Sequence, residues 1–125
     1  MAQKTFTIDS FPQGYYMSWF VTTQAAYSVT ATLSDSSQQY FSNTKTSTNI
    51  QPPLAQGASL IQGSNLKLLV NIPQSSSLDS SINTYAITTD TGAIVGYGYN
   101  ICIEDSGDKD YNDVAISLVA WRNKG

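Results

Sequence analysis

The chain contains no histidine. That removes imidazole as general base, proton shuttle or metal ligand, and with it His-dependent triads and His-bearing zinc sites. A single cysteine, Cys102, excludes an internal disulfide, and its place in the apolar run YNICIED reads as a small buried core residue. Charged residues make up only 12% of the chain, about half the usual share, against 41% hydrophobic, which excludes a highly charged disordered segment. The basic residues Lys4, Lys45, Lys67, Lys109, Arg122 and Lys124 are scattered in a chain of net charge -3. Without a basic stripe to track phosphates, nucleic acid is not an expected partner. Apolar stretches such as Leu68 to Val70 and Ala93 to Val95 are a few residues long, far from the roughly 20 that a membrane helix needs. No apolar run follows Lys4 in MAQKTFTIDSF, so no secretory signal is expected, and a cytoplasmic protein with non-classical release to the cell surface or exterior stays open.

What is present is a period of two. In Tyr27 to Ser34 the odd positions Tyr27, Val29, Ala31 and Leu33 are apolar and the even ones polar, as on a half-buried strand. Leu66, Leu68, Val70 and Ile72 share one face of a second strand, which Pro73 ends. The same logic predicts strands over 4–8, 15–22, 85–88, 95–103 and 114–121, separated by turn-forming clusters such as QPPLAQG and PQSSSLDSS. Helical periodicity is missing, and the abundant Ser, Thr, Tyr and Val favour pleated surfaces. These features predict one all-β domain over residues 1–125, an antiparallel β-sandwich of eight to nine strands. The polar stretch from Ser34 to Ser59 has room for an edge strand plus loops. Gly96 and Gly98 leave one strand face without side chains, open to a close backbone or an aromatic ring, or else marking a bulge or tight sheet packing.

Charge is concentrated in one place. Five of the nine acids, including the only glutamate, fall within Glu104-Asp105-Ser106-Gly107-Asp108-Lys109-Asp110-Tyr111-Asn112-Asp113. Two carboxylates about 4 Å apart repel by roughly 4 kcal/mol at an effective dielectric near 20, so crowding them between two strands is costly unless a cation joins them. The donors are carboxylates, an amide carbonyl, a hydroxyl and backbone carbonyls, the hard oxygen set that suits calcium better than magnesium or zinc. The spacing Asp108, Asp110, Asn112 imitates the start of an EF-hand, but the sixth position is Asp113 instead of Gly and the twelfth is Val119 instead of Glu. It is a different calcium loop, and Asp110 to Asp113 can bridge two ions.

The block EDSGDKDYND, followed by an apolar strand, a Trp and a C-terminal Gly, resembles the last calcium loop of the bacterial calcium-dependent fucose- and mannose-binding lectins of the lectin II type. KTFTI and the segment from Tyr15 to Thr22 fit that family's first two strands. The resemblance implies a nine-stranded sandwich and one calcium held by Glu104, Asp108, Asp110 and Asp113. A second would be held by Asp110, Asn112 and Asp113. It further implies that the ions bind vicinal hydroxyls of one monosaccharide, with Asp105 accepting a hydrogen bond and Ser106 and Gly107 alongside. Asp108, Asp110 and Asp113 then count as sugar-binding as well as metal-binding residues. Where the family supplies an Asn and two sugar-touching Ser residues from its second strand, this chain reads Phe20-Val21-Thr22-Thr23-Gln24, which leaves Thr22, Thr23 or Gln24 to offer an oxygen and the count at one or two ions. Family members insert the C-terminal Gly carboxylate of a neighbouring subunit into the site; Gly125 occupies that place here, on a tail two residues longer and carrying Arg122 and Lys124. The resemblance thus implies a homodimer or higher homo-oligomer. Aromatic rings can stack on sugar faces but also fill ordinary sandwich cores, which is the default here; from their positions, Tyr111 inside the loop is expected beneath the metals and Trp121 near the C-terminus at a subunit interface.

Three other classes compete with this lectin reading. Calcium can merely rigidify the loop of a structural or adhesion module. A glycosidase would use Glu104 with one aspartate as its acid and base, but an acid of raised pKa needs an apolar pocket and Glu104 lies among carboxylates. A membrane-inserting hairpin from the alternating Ser and Thr region is the remaining one.

Overall fold

The computed structural model describes residues 2–105 and 111–125. In chain order the strands are β1 (Ala2–Thr7), β2 (Tyr16–Thr23), β3 (Ala25–Ser34), β4 (Gln39–Ser47), β5 (Ala55–Leu60), β6 (Lys67–Ile72), β7 (Asp79–Thr88), β8 (Ile94–Glu104) and β9 (Val114–Trp121). They make two antiparallel sheets, one ordered β1-β6-β3-β4 and the other β5-β2-β9-β8-β7, so the all-β sandwich of eight to nine strands is observed. Among the described residues no helix is long and apolar enough to cross a membrane.

The period of two decides what lies between the sheets. From the four-stranded sheet, Val29, Ala31, Leu33, Leu68, Val70 and Ile72 are fully buried; from the other come Met17, Val21, Ile101, Ile103 and Leu118. Leu118 sits on β9, the middle strand of five, and pairs with Trp19 on one side and Tyr99 on the other. Replacing it by alanine leaves a cavity where neighbours on both sides are already hydrogen-bonded in register. The expected loss in chemical denaturation is about 2–5 kcal/mol; a loss below about 1 kcal/mol would contradict this packing.

Four sequence expectations are corrected. The polar stretch holds two strands instead of one, β4 and β5, and both are sheet edges, where only part of one face meets the core. β7 begins at Asp79, six residues before the expected strand, because pairing with β8 carries its polar half. Tyr27 is 38% exposed: the register jumps between Ala25↔Ser47 and Val29↔Lys45, and this bulge takes Tyr27 off the core face. Cys102 is only half-buried and lies on the outer face of the five-stranded sheet, since Ile101 and Ile103 on either side of it fill the core. At Gly98 the bare strand face is occupied by an aromatic ring. Tyr85 pairs directly with Gly98, and a Cβ there would stand 2.0 Å from Cζ of the Tyr85 ring.

This register also positions one end of the molecule. Ile103 pairs with Val114, Thr23 pairs with Val114 from the other side, and Asp79 pairs with Glu104. The end of β2, the start of β7 and the β8–β9 connection therefore meet at a single pole of the five-stranded sheet.

Candidate functional site

Glu104 is the last residue of β8 and Asp113 immediately precedes β9. Both carboxylates are buried, Glu104 to 1% exposure and Asp113 to 8%, while Asp105 is half-buried beside them. One oxygen from each of the three lies within 4.8 Å of the others. A cation 2.3–2.6 Å from each of two oxygens spans an oxygen separation of up to about 5 Å, so this spread matches a single calcium-sized ion.

Backbone groups fix the carboxylates before any ligand arrives. The Asp105 amide donates to Asp113 Oδ2 at 2.9 Å and the Tyr111 amide to Glu104 Oε1 at 3.2 Å. Tyr111 reaches that position with φ of 56°, the left-handed turn that brings its N–H back over the strand end. The Gln24 amide donates to the Asp113 carbonyl at 3.1 Å, tying the end of β2 to the loop. Buried Ser75 places its hydroxyl 2.8 Å from the Asp105 carbonyl and 2.7 Å from that of Ser77.

The electrostatics follow from the crowding. Burial pushes the Asp113 carboxyl up to about 7 from an ordinary 3.8; the Asp105 amide works against the rise, whereas the Asp105 side chain and the charge of Glu104 add to it. A carboxyl held this far up is one whose ionised form lacks compensation from the groups around it. An all-oxygen, multiply anionic donor set is what a hard divalent cation compensates, and the described residues fit calcium on that chemistry.

Asn112 is half-buried in the same connection. Ser106, Gly107, Asp108, Lys109 and Asp110 lie outside the described residues. Thr22 and Thr23, adjacent on β2, face opposite ways. Thr22 points to the outer face, where it lines a hollow of about 200 Å³ with Phe20, Asn100, Cys102, Ala115 and Ser117. Thr23 is buried, and its Oγ1 has no hydrogen-bond partner among the described residues. Of the two, Thr23 pairs next to Asp113. Gly125 is exposed, beyond the far end of β9. Two residues at this pole escaped the sequence reading: Asp79, brought opposite Glu104 by register, and Ser75, whose role depends on a contact 30 residues away.

No protein-family model matches the chain, and neither does any curated protein. Solved structures do match. Chromobacterium violaceum lectin CV2L, determined with alpha-methyl-fucoside, superposes with a TM-score of 0.65 at 16% identity, over 97% of this chain and 96% of that one. The C-terminal domain of the BC2L-C lectin from Burkholderia cenocepacia gives 0.66 at 18% identity over the same shares. The Ralstonia solanacearum high-affinity mannose-binding lectin gives 0.65 at 19%, again over 97% and 96%. Across nearly its whole length the chain has the fold of these lectins.

Proposed function

We propose that this protein is a carbohydrate-binding protein that recognises a fucose- or mannose-type monosaccharide through calcium held at the β8–β9 pole. The observation that carries the reading is the convergence of the Glu104, Asp105 and Asp113 carboxylates within 4.8 Å, at one end of a fold shared with lectins named for fucoside and mannose ligands.

Glu104 and Asp113, pre-aimed by the Tyr111 and Asp105 amides, serve as ligands, with Asp108, Asp110 and Asn112 completing the set for one or two ions. Calcium, when bound there, offers sugar hydroxyls a stronger partner than an ordinary hydrogen-bond donor. Asp105 accepts a hydrogen bond from a sugar hydroxyl, and Ser106 and Gly107 border the sugar. Thr23 supplies the neighbouring oxygen on β2. The chemistry is binding without turnover: both Glu104 and Asp113 are buried and tied to backbone amides, so neither stands open as an acid over a glycosidic bond.

A homo-oligomer belongs to this reading. β9 runs away from the acidic pole for eight residues, about 27 Å at 3.4 Å per residue, before the tail begins. A calcium ligand from the tail at Gly125 can therefore reach such a site only in another copy.

Titration calorimetry with methyl mannoside and methyl fucoside tests the proposal. Binding is expected in millimolar calcium and none after chelation, and Ser106→Ala should change the mannose-to-fucose affinity ratio by up to roughly tenfold, about 1.4 kcal/mol. Calcium that stabilises the fold while no sugar binds would instead support the structural module.

A further inference from the structure

The end of β2 at the acidic pole is held by a side chain from the other sheet. On its β5 side, β2 offers the Val21 carbonyl to the Leu54 amide at 2.8 Å. The Thr23 carbonyl, two residues further on, faces the same edge, because carbonyls along a strand alternate sides. Continuing that ladder would take a backbone donor from the residues just before Leu54, and these are Pro52 and Pro53, which have no N–H. The donor that arrives instead is Lys45. Its Nζ lies 3.3 Å from the Thr23 carbonyl oxygen and 2.6 Å from that of Asn49.

Local structure sets this reach. Lys45 is on β4, an edge of the four-stranded sheet, where the pairing with β3 jumps from Val29↔Lys45 to Ala25↔Ser47. Just beyond, the Asn49 amide donates to the Ser47 hydroxyl at 3.0 Å, a turn that brings the Asn49 carbonyl back toward the lysine. The half-buried Lys45 stem then spans from one sheet to the other and delivers its ammonium to two carbonyls.

Thr23 and Gln24 share the peptide that is held. Its carbonyl accepts from Lys45, and its N–H, that of Gln24, donates to the Asp113 carbonyl at 3.1 Å. One peptide is thus strung between the ammonium and the loop that carries the carboxylates. The same peptide fixes the direction of the Thr23 side chain, whose buried Oγ1 has no hydrogen-bond partner among the described residues. We infer that Lys45 is a positioning residue for sugar binding, which holds the β2 rim against Asp113 and so aims the Thr23 hydroxyl. The role rests on the carbohydrate site proposed above, since Thr23 has a ligand to meet only if that pole binds one.

The clamp also works against the metal. Through these hydrogen bonds the ammonium stands within about 9 Å of the Asp113 carbonyl. A fixed cation at that range repels a divalent ion and is only partly screened by salt. The two effects of Lys45 therefore have opposite signs: its hydrogen bond favours sugar, and its charge disfavours calcium. A residue that merely supported the fold would move both affinities the same way.

Lys45→Met keeps an unbranched stem and removes both the donors and the charge. In saturating calcium it should bind methyl mannoside roughly tenfold more weakly than the wild type. Its calcium affinity, titrated without sugar, should be unchanged or up to about threefold higher. Lys45→Arg, which restores charge and donors, should return both affinities to within about twofold of the wild type. Hydrogen exchange reads the clamp without any sugar: the Gln24 amide should be protected in the wild type and exchange roughly tenfold faster in Lys45→Met, with amides at the centre of β9 unchanged. An unprotected Gln24 amide in the wild type would overturn the inference whatever the fate of the variants. So would a Lys45→Met protein that binds sugar as the wild type does, calcium and sugar affinities that fall together, or a Lys45→Arg protein that behaves like Lys45→Met. A wild type that binds calcium but no methyl mannoside, with Gln24 protection that depends on Lys45, would count against the proposed function alone.

Discussion

Asp113→Ala is expected to abolish calcium binding and sugar binding together, by more than 100-fold each. Among the described residues Asp113 is the most buried aspartate at the pole, its Oδ2 is held by the Asp105 amide, and its oxygen lies within 4.8 Å of those of Glu104 and Asp105. Removing one anionic ligand from a clustered set costs more than removing a group that only orients a ligand, and loss of such an orienting group already lowers metal affinity about 10–100-fold. The fold should survive, because the variant also relieves the carboxylate crowding while β9 keeps its register. The check is a pair of melting curves. Calcium at 1,000 times its dissociation constant stabilises the wild type by about 4.1 kcal/mol, and it should leave the variant unmoved. A variant that still gains stability from calcium and still binds sugar would place the metal elsewhere.

The second large effect is on pH. In the metal-free protein the Asp113 carboxyl titrates near 7 when folded and near an ordinary 3.8 when unfolded. A carboxyl with a raised folded pKa binds its proton more tightly in the native state, so its contribution to stability is complete below about 4 and is lost as pH rises toward 7. The loss is on the order of 4 kcal/mol across that window. Calcium reverses the sign, because it requires the ionised form: its affinity should climb as pH rises through the same range. Urea midpoints at pH 5 and pH 7.5, with and without calcium, measure both arms. Metal-free stability that stays flat or increases over this interval would contradict the buried, crowded carboxyl described here.

The parts of this architecture legible in the sequence are those where one physical signal dominates. β3, β6, β8 and β9 lie centrally in their sheets, and burying a full face forces the apolar alternation that marks them in the sequence. β4 and β5 are edges, with few inward positions to fill, so QYFSNTKTS and AQGASL carry almost no alternation. The Tyr27 bulge is invisible because it arises from unequal pairing with β4, a property of two segments and not of one. The acidic block was conspicuous since five carboxylates in ten residues require an explanation by charge alone. Asp79 was not, for a lone aspartate in a serine-rich turn acquires meaning only when register sets it opposite Glu104. The separation of Thr22 from Thr23 could have been read directly: neighbours on a strand face opposite sides, so only one of them can serve a given site.

Diffraction from crystals soaked in calcium and methyl mannoside, recorded where calcium scatters anomalously, locates the metal and the sugar together. An anomalous peak is expected against the Glu104 and Asp113 carboxylates, beside Asp105, with two sugar hydroxyls 2.3–2.6 Å from it. No peak there at millimolar calcium, or a sugar bound away from the metal, would contradict it.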